Sequence, residues 1–188
     1  PLGSNIGNAL EIMEVVDILN NKGDKQLREL CLVLSATILS ISFDWDYNEA
    51  YNKAEQTLIN GSAYKKFIDF IVAQGGNPDL SKLEHSKKSL EIKAQKDGYI
   101  QKIDSKLVGE SAVLLGAGRE KKDDIIDYGA GIILQKKTSD KVCIGETIAT
   151  LYAETDEKLK NCEKLFNTAY VIGDEKPNAL PLIYNTIR

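Results

Sequence analysis

The stretch Ala73-Gln74-Gly75-Gly76-Asn77-Pro78 separates two parts of the chain that have different sequence patterns. Before it, apolar residues recur at intervals of three and four, which is the spacing along one face of a helix. After it, short segments rich in β-branched residues alternate with turn residues, which is typical of a small β domain. We therefore predict an α+β protein with a helical part over residues 1–76, a polar linker over residues 77–89 and a β-rich domain over residues 90–188.

Four helices are predicted between residues 8 and 75. Asn8 and Glu11 resemble a capping box, in which the Asn side chain serves a backbone N–H and the Glu side chain reaches back. Asp24 is placed to begin the second helix, and Asp46 with Glu49 to begin the third. The predicted apolar faces comprise, helix by helix, Ala9, Ile12, Met13, Val16 and Leu19; Leu27, Leu30, Cys31, Leu34, Ile38 and Ile41; Ala50, Ala54 and Leu58; and Tyr64, Phe67, Ile68 and Ile71.

The second part of the chain is predicted to be mostly strands. Residues 155–167 return to helical spacing, and Tyr170-Val171-Ile172 is predicted to form a last strand. The tail from Lys176 contains two prolines, so we expect it to pack as an extended segment. The other predicted strands are residues 90–95, 98–104, 111–115, 131–136 and 147–153.

A faint duplication runs through the β-rich domain, between Asp97-Gly98-Tyr99-Ile100 and residues 139–148. The second copy is similar to the G-D-x-V-x-x-G-x-x-L turn of lipoyl and biotinyl carrier domains, which implies a lipoyl-like, barrel-sandwich-type β domain. In those domains a carrier lysine lies on a tight hairpin between the two copies. The corresponding residues 116–122 form a glycine-rich loop instead, which argues against a modified lysine there. The lipoyl-like domain still leaves a non-catalytic binding or carrier module as the alternative function.

Composition argues against nucleic-acid and membrane partners. The net charge is −4, and the lysines and arginines are scattered rather than gathered into a basic patch. No uninterrupted apolar stretch is expected to span a bilayer. No C-x-x-C pair occurs among the three cysteines, which are Cys31, Cys143 and Cys162. We therefore expect free thiols in a reducing cytoplasm rather than a zinc site or disulfides.

Several short motifs occur in a fixed order along the chain. They are Pro1-Leu2-Gly3-Ser4-Asn5-Ile6-Gly7-Asn8-Ala9-Leu10-Glu11-Ile12, Leu27-Arg28-Glu29-Leu30, Ala73-Gln74-Gly75-Gly76, Lys96-Asp97-Gly98-Tyr99, Leu114-Leu115-Gly116-Ala117-Gly118-Arg119, Asp124-Ile125-Ile126-Asp127 and Pro181-Leu182-Ile183-Tyr184. Together these motifs cover essentially the whole sequence and resemble the pyrimidine-nucleoside phosphorylase and thymidine phosphorylase family.

The resemblance implies the C-terminal part of an enzyme of nucleoside salvage. Family members convert uridine, thymidine or deoxyuridine and phosphate to free base and (deoxy)ribose 1-phosphate, and they act as homodimers. The ending Pro181-Leu182-Ile183-Tyr184 favours the broader uridine and thymidine class. Residues 1–76 would be the helical part of a truncated α/β domain, and the start at Pro1 would be native rather than the scar of an expression tag.

The family's phosphate loop, K-x-S-T-G-G-x-G-D, and its base-binding side chains precede the P-L-G motif. None of those motifs occurs in this sequence, so we expect no catalytic and no substrate-binding residue here, and no activity from this fragment alone. The single histidine, His85, lies in the polar linker, where we expect a surface residue.

The resemblance also implies part of a potassium site. Its ligands would be the backbone carbonyls of Leu2 and Asn5 and the carboxylate of Glu14, which are the oxygen ligands that a hard cation prefers. The other interpretation of Glu14 is an exposed helix residue. For Gly116-Ala117-Gly118-Arg119, a tight turn is favoured over an anion cradle, with Arg119 available to pair with a nearby aspartate.

Overall fold

The computed structural model describes residues 2–178 and 180–185, which form two compact units. The β-rich unit comprises Gly3–Ile12 and Leu83–Leu180, and the helical unit comprises Met13–Lys82 together with Leu2 and residues 181–185. The α+β class is confirmed. The units differ from the predicted boundaries, because the structure groups Gly3–Ile12 with the β-rich unit.

The helices before residue 75 are found where the sequence predicts them. They are α1 (Asn8–Leu19), α2 (Lys25–Phe43), α3 (Tyr47–Ile59) and α4 (Ser62–Ala73). The Asp24 carboxylate caps α2 by accepting a hydrogen bond from the Leu27 backbone N–H at 2.7 Å. Asp46 caps α3 in the same way. These caps satisfy backbone donors that a helix start leaves without partners.

The helical unit buries only part of the apolar surface of α2. Leu32 and Ala36, four residues apart, are buried, and Leu32 packs in a cluster with Ala54 and Leu58 of α3. Much of the predicted face of α2 lies outside this cluster, and its Ile38 is 64% exposed. Nearly every residue from 30 to 43 is apolar or carries a small hydroxyl, so the sequence pattern does not single out the buried side.

By length and composition, helix α2 is apolar enough to cross a membrane. Its uncharged run, residues 30–43, is hard to recognise in the sequence because serines and a threonine interrupt it. A helix of 14 residues spans about 21 Å, less than the roughly 30 Å of a bilayer core. Helix α2 therefore reaches the length of a membrane span only when its charged first turn is counted.

The β-rich unit contains two antiparallel sheets and two helices. One sheet has the order β1-β4-β6-β2 and the other the order β5-β3-β7. The lipoyl-like arrangement of these sheets stays a prediction. The elements are β1 (Asn5–Gly7), β2 (Lys88–Lys93), β3 (Gly98–Ile103), α5 (Ser105–Leu115), β4 (Gly131–Leu134), β5 (Lys141–Val142), β6 (Thr147–Ala153), α6 (Asp156–Phe166) and β7 (Tyr170–Gly173).

The predicted strand at residues 111–115 is wrong, because these residues form the second half of α5. The Asp104 carboxylate caps the helix by accepting hydrogen bonds from Lys106 and Leu107 N–H. Val108, Ala112 and Leu115 then lie on one buried face, at the spacing of a helix. The β-branched and apolar residues near the end of α5 suggest a strand only when they are read without the cap before them.

The core of the β-rich unit lies between α5, α6 and the four-stranded sheet. Phe166, Leu115, Ile132, Leu151 and Ile100 are among its fully buried side chains. Burial of side chains of this size stabilises a fold by about 1.5–3 kcal/mol each. This unit therefore has a continuous core of its own, built from both helices and both sheets.

The predicted polar linker is only partly a linker. Ser86 donates its backbone N–H to the Gly129 carbonyl at 2.7 Å and its hydroxyl to Asp127 Oδ2 at 2.8 Å. Asp127 Oδ1 also accepts the Gly129 N–H at 2.9 Å. Residues from Leu83 onward thus belong to the β-rich unit, and the last part of the predicted linker is not a connection between units.

Candidate functional site

Strand β1 brings the N-terminal motif into the four-stranded sheet. It pairs with β4 in the register Ile6↔Ile132 and Gly7↔Gly131. A Cβ atom on Gly131 would lie 2.2 Å from the Ile6 carbonyl oxygen, and one on Gly7 would lie 2.5 Å from the Ala130 carbonyl oxygen. Only glycine fits at both positions, because such distances lie far inside van der Waals contact.

The start of α1 is joined to the loop after α5. Asn8 donates its side-chain N–H to the Ala117 carbonyl at 2.9 Å, and Ala9 donates its backbone N–H to the Tyr128 carbonyl at 2.9 Å. Glu11 accepts the backbone N–H of Gly7 at 3.1 Å. The predicted capping box is therefore half confirmed. Glu11 reaches back as expected, although its partner is Gly7, whereas the Asn8 side chain donates to Ala117 rather than capping the helix.

These contacts border an open cleft of about 760 Å³ in the β-rich unit. Its walls are mainly apolar or small side chains from β1, the first turns of α1, and α5 with its following loop. Glu11 and Tyr128 are the only titratable side chains among the described residues that line it. Among the described residues that line the cleft, no nucleophile lies next to a base and no two carboxylates form a pair.

The predicted cation ligands are placed as follows. Leu2 is 68% exposed, and the Asn5 side chain donates to the Leu10 carbonyl at 2.8 Å. Glu14 is only 8% exposed and falls on α1 between the buried Leu10 and Ile18, each four residues away. The interpretation of Glu14 as an exposed residue is therefore wrong. A buried carboxylate needs polar or charged partners, which agrees with a ligand role, and the cation site stays a prediction.

A metal site built from side chains alone would need several His, Cys, Asp or Glu residues close together. Within residues 2–178 and 180–185, no group of three or more His, Cys, Asp and Glu side chains is arranged to hold a metal ion. The predicted potassium ligands are mostly backbone carbonyl oxygens, so they would not form a cluster of that kind.

The glycine loop after α5 adopts the structural role. Gly116 is the left-handed C-terminal cap of α5, with φ of 109°. Its N–H donates to the Val113 carbonyl at 2.9 Å, and the Ala117 N–H donates to the Ala112 carbonyl at 3.0 Å. These two N–H groups are engaged in ending the helix and are not free to cradle an anion.

His85 and Arg119 are the two other residues of this unit that the sequence analysis considered. His85 is exposed, its ring packs on Tyr152 with centroids 4.3 Å apart, and its Nδ1 lies 2.9 Å from the Ser86 carbonyl. Asp124, one of the aspartates available to Arg119, accepts the backbone N–H groups of Glu120 and Lys121. The loop thus folds around the Asp124 carboxylate.

The shifted pKa values of the β-rich unit have structural causes. A hydrogen bond from Lys136, 2.5 Å away, and one from the Cys143 N–H lower the pKa of Glu146. Burial raises the pKa of the Cys162 thiol to about 11. Burial also raises the pKa of Tyr170, whose hydroxyl donates to the Lys136 carbonyl at 3.1 Å. These three groups lie away from the residues that line the cleft.

Comparison with known proteins gives first the class of domain and then the family. Residues 99–173 match the family model of the pyrimidine nucleoside phosphorylase C-terminal domain. The chain is 37% identical over 192 residues to the pyrimidine-nucleoside phosphorylase of Geobacillus stearothermophilus, and 38% identical over 181 residues to that of Bacillus subtilis. These alignments include 100% and 94% of this chain, but 44% and 42% of the relatives.

The resemblance drawn from the ordered motifs is therefore confirmed: the chain is similar to the C-terminal portion of pyrimidine-nucleoside phosphorylases. It spans less than half the length of the relatives it matches. The contacts that sequence reasoning missed, Asn8 with Ala117 and Gly7 with Gly131, join residues more than 100 positions apart. Both contacts join residues that align with the Geobacillus stearothermophilus relative, but no local sequence pattern indicates that these residues meet.

Proposed function

We propose that this chain is the C-terminal part of an enzyme that converts pyrimidine nucleosides and phosphate to free base and (deoxy)ribose 1-phosphate. The observation that carries the proposal is the similarity of the whole chain to pyrimidine-nucleoside phosphorylases at 37% identity. The proposed substrates are uridine, thymidine and deoxyuridine, and the proposed setting is nucleoside salvage in the cytoplasm.

We further propose that the 188-residue chain alone has no activity. Phosphorolysis requires groups that position phosphate and stabilise charge on the departing base. The sequence has no K-x-S-T-G-G-x-G-D loop, and its single histidine is an exposed residue stacked on a tyrosine. The role of the chain would be to complete the fold of the enzyme.

The test is a phosphorolysis assay with uridine, thymidine and deoxyuridine, in which release of free base is followed by chromatography. A protein that joins this chain to the upstream part of its gene is expected to release base from all three nucleosides, and only when phosphate is present. The 188-residue chain is expected to release none. Turnover by the short chain would contradict its proposed inactivity, and an inactive longer protein would contradict the proposed function.

Two properties of the longer protein follow from the resemblance. The first is a homodimer, which analytical ultracentrifugation of the active protein would detect as twice the chain mass. The second is a potassium ion with Leu2, Asn5 and Glu14 as ligands. Crystals of the longer protein grown in rubidium salt should show an anomalous peak next to the Glu14 carboxylate, and a map without that peak would rule out the ion.

A further inference from the structure

Helix α2 carries an exposed apolar stripe, which we define as Cys31, Leu34, Ile38 and Ile41. Leu34, Ile38 and Ile41 are 54%, 64% and 80% exposed, and Cys31 is also exposed. Spacings of three and four place the four side chains on one face of the helix, over about 15 Å. No charged residue interrupts residues 30–43. A continuous apolar strip of this kind marks a contact surface.

The α2 stripe borders a groove in the helical unit. This groove has a volume of about 510 Å³ and is lined almost entirely by apolar side chains from α1, α2 and α3. Cys31 and Ile38 belong both to the stripe and to the groove, and Leu19 and Leu58 line its opposite side. A partner that covers the stripe can therefore insert a side chain between the helices, as ridges do in helix packing.

A lipid bilayer fits the α2 stripe poorly. The opposite side of α2 packs on α3 through Leu32, and that packing would be lost in a membrane span. Asp24 caps the start of the helix and Asp44 lies at its end, so the apolar run between charged groups is short. Burying those charges in lipid is costly.

The relatives of the chain indicate which protein segment can cover this surface. The relatives are continuous polypeptides, and more than half of their length lies outside the region that matches this chain. That region must pack on the C-terminal portion to form one enzyme, and an apolar face left exposed in the C-terminal portion is where such packing is available.

We propose that the α2 stripe and its adjoining groove are the docking surface for the N-terminal portion of a pyrimidine-nucleoside phosphorylase, and that docking takes place even when the two portions are separate polypeptides. This inference rests on the proposed function, because the partner is taken from the relatives of the chain. It goes further by naming the helix face that the partner covers and by requiring no covalent link.

The first experiment measures complex formation. The 188-residue chain is co-expressed with the N-terminal portion of the Geobacillus stearothermophilus relative, ending where the match begins, and a tag on that portion is used for purification. We expect the two to copurify at 1:1. Ile38→Lys should lower the copurified yield at least tenfold, because it places a charge in the apolar contact.

Ile144→Lys is the matched control. Ile144 is 68% exposed, close to the value for Ile38, but it lies in the β-rich unit. The same substitution there should change the yield by less than twofold. Equal losses from both variants, or no complex with the unaltered chain, would overturn the proposal. Circular dichroism of each variant alone identifies one that has not folded, and Ile41→Lys then replaces Ile38→Lys.

The second experiment uses the thiols of the chain. Cys31 lies on the α2 stripe, Cys143 is exposed in the β-rich unit and Cys162 is buried. A maleimide reagent should label Cys31 and Cys143 in the chain alone, as read by peptide mass spectrometry, and leave Cys162 unlabelled. In the complex, labelling of Cys31 should slow at least tenfold while Cys143 keeps its rate. Unchanged labelling of Cys31 would overturn the docking surface.

Other occupants give distinct results. A dimer of the 188-residue chain that Ile38→Lys converts to a monomer would show that a second copy covers the stripe, and vesicle binding that Ile38→Lys abolishes would point to a membrane. Either result overturns the proposal. Activity is assayed separately on the purified complex: a stable complex with Cys31 protected but without phosphorolysis keeps the docking surface and counts against the proposed function.

Discussion

Gly131 is the residue at which the N-terminal motif is most closely fitted to the β-rich unit. Its φ is 156°, and a Cβ atom added to it would lie 2.2 Å from the Ile6 carbonyl oxygen, so there is no room for a side chain. The side chain of Leu10, which is fully buried, would also lie within 2.9 Å of that added Cβ atom. Gly7 of the N-terminal motif thus has a partner glycine, Gly131, in β4, and the two glycines together allow β1 to join the sheet.

Gly131→Ala should destabilise the β-rich unit by about 3 kcal/mol, through backbone strain and overlap with β1. Hydrogen exchange of peptides from β4 and β6, read by mass spectrometry, measures this locally. Gly145→Ala is the control: its φ is 80°, but no atom lies within 4 Å of the added Cβ, so only backbone strain of about 1 kcal/mol is expected. Equal losses at both sites would contradict the close contact between β1 and β4.

Helices differ in how well the sequence predicts them, and α5 shows why. The starts of α2 and α3 are predictable because the capping aspartate and the first apolar turn are neighbours in sequence. Helix α5 has the same signal in Asp104, but its apolar residues next to β-branched ones are also typical of a strand. The joining of Asn8 to Ala117 has no local signal at all, because it depends on tertiary packing.

The cap of α5 should make the stability of the β-rich unit depend on pH. The Leu107 N–H donates to the Asp104 carboxylate, and this hydrogen bond lowers the pKa of Asp104 from its ordinary value of 3.8. A carboxylate with a lowered folded pKa stabilises the fold above its unfolded value, and that contribution is lost as the pH falls through 3.8 and then through the folded pKa.

Urea unfolding at pH 7 and at about pH 3.5 tests this expectation, with Asp104→Asn and Asp104→Ala as the variants. Asn keeps an oxygen that accepts the N–H bonds but does not titrate, so its midpoint should fall less than that of the unaltered chain between the two pH values. Ala should lower the midpoint already at pH 7. An unaltered pH dependence in Asp104→Asn would show that the cap carboxylate contributes nothing to it.

At the scale of the whole molecule, the N-terminal residues belong to a unit whose remaining residues begin only at Leu83. Residues 3–12 contribute β1 and the buried Leu10 to the β-rich unit, although the helical unit separates them from Leu83 in sequence. The polar residues 77–89 include the boundary between the two units after Lys82, but composition does not show which earlier residues return to pair with β4.

This arrangement predicts that a cut near the end of the helical unit leaves both pieces of the chain bound to each other. Residues 74–79 are exposed, so a protease recognition site inserted between Gly76 and Asn77 is accessible. After cleavage, the piece ending at Gly76 should stay attached to the rest through the pairing of β1 with β4 and the hydrogen bonds of Asn8 and Ala9. Size-exclusion chromatography should show one peak with both pieces in buffer and two peaks in urea.

The same cut protein carrying Gly131→Ala provides the decisive comparison, because that substitution acts on the contact between β1 and β4. It should release the piece ending at Gly76 at a lower urea concentration than the unaltered cut protein requires. Gly145→Ala should leave the release concentration almost unchanged, since its Cβ meets open space. Separation of the pieces in plain buffer would mean that Gly3–Ile12 does not hold to the β-rich unit, and the grouping of these residues would then be wrong.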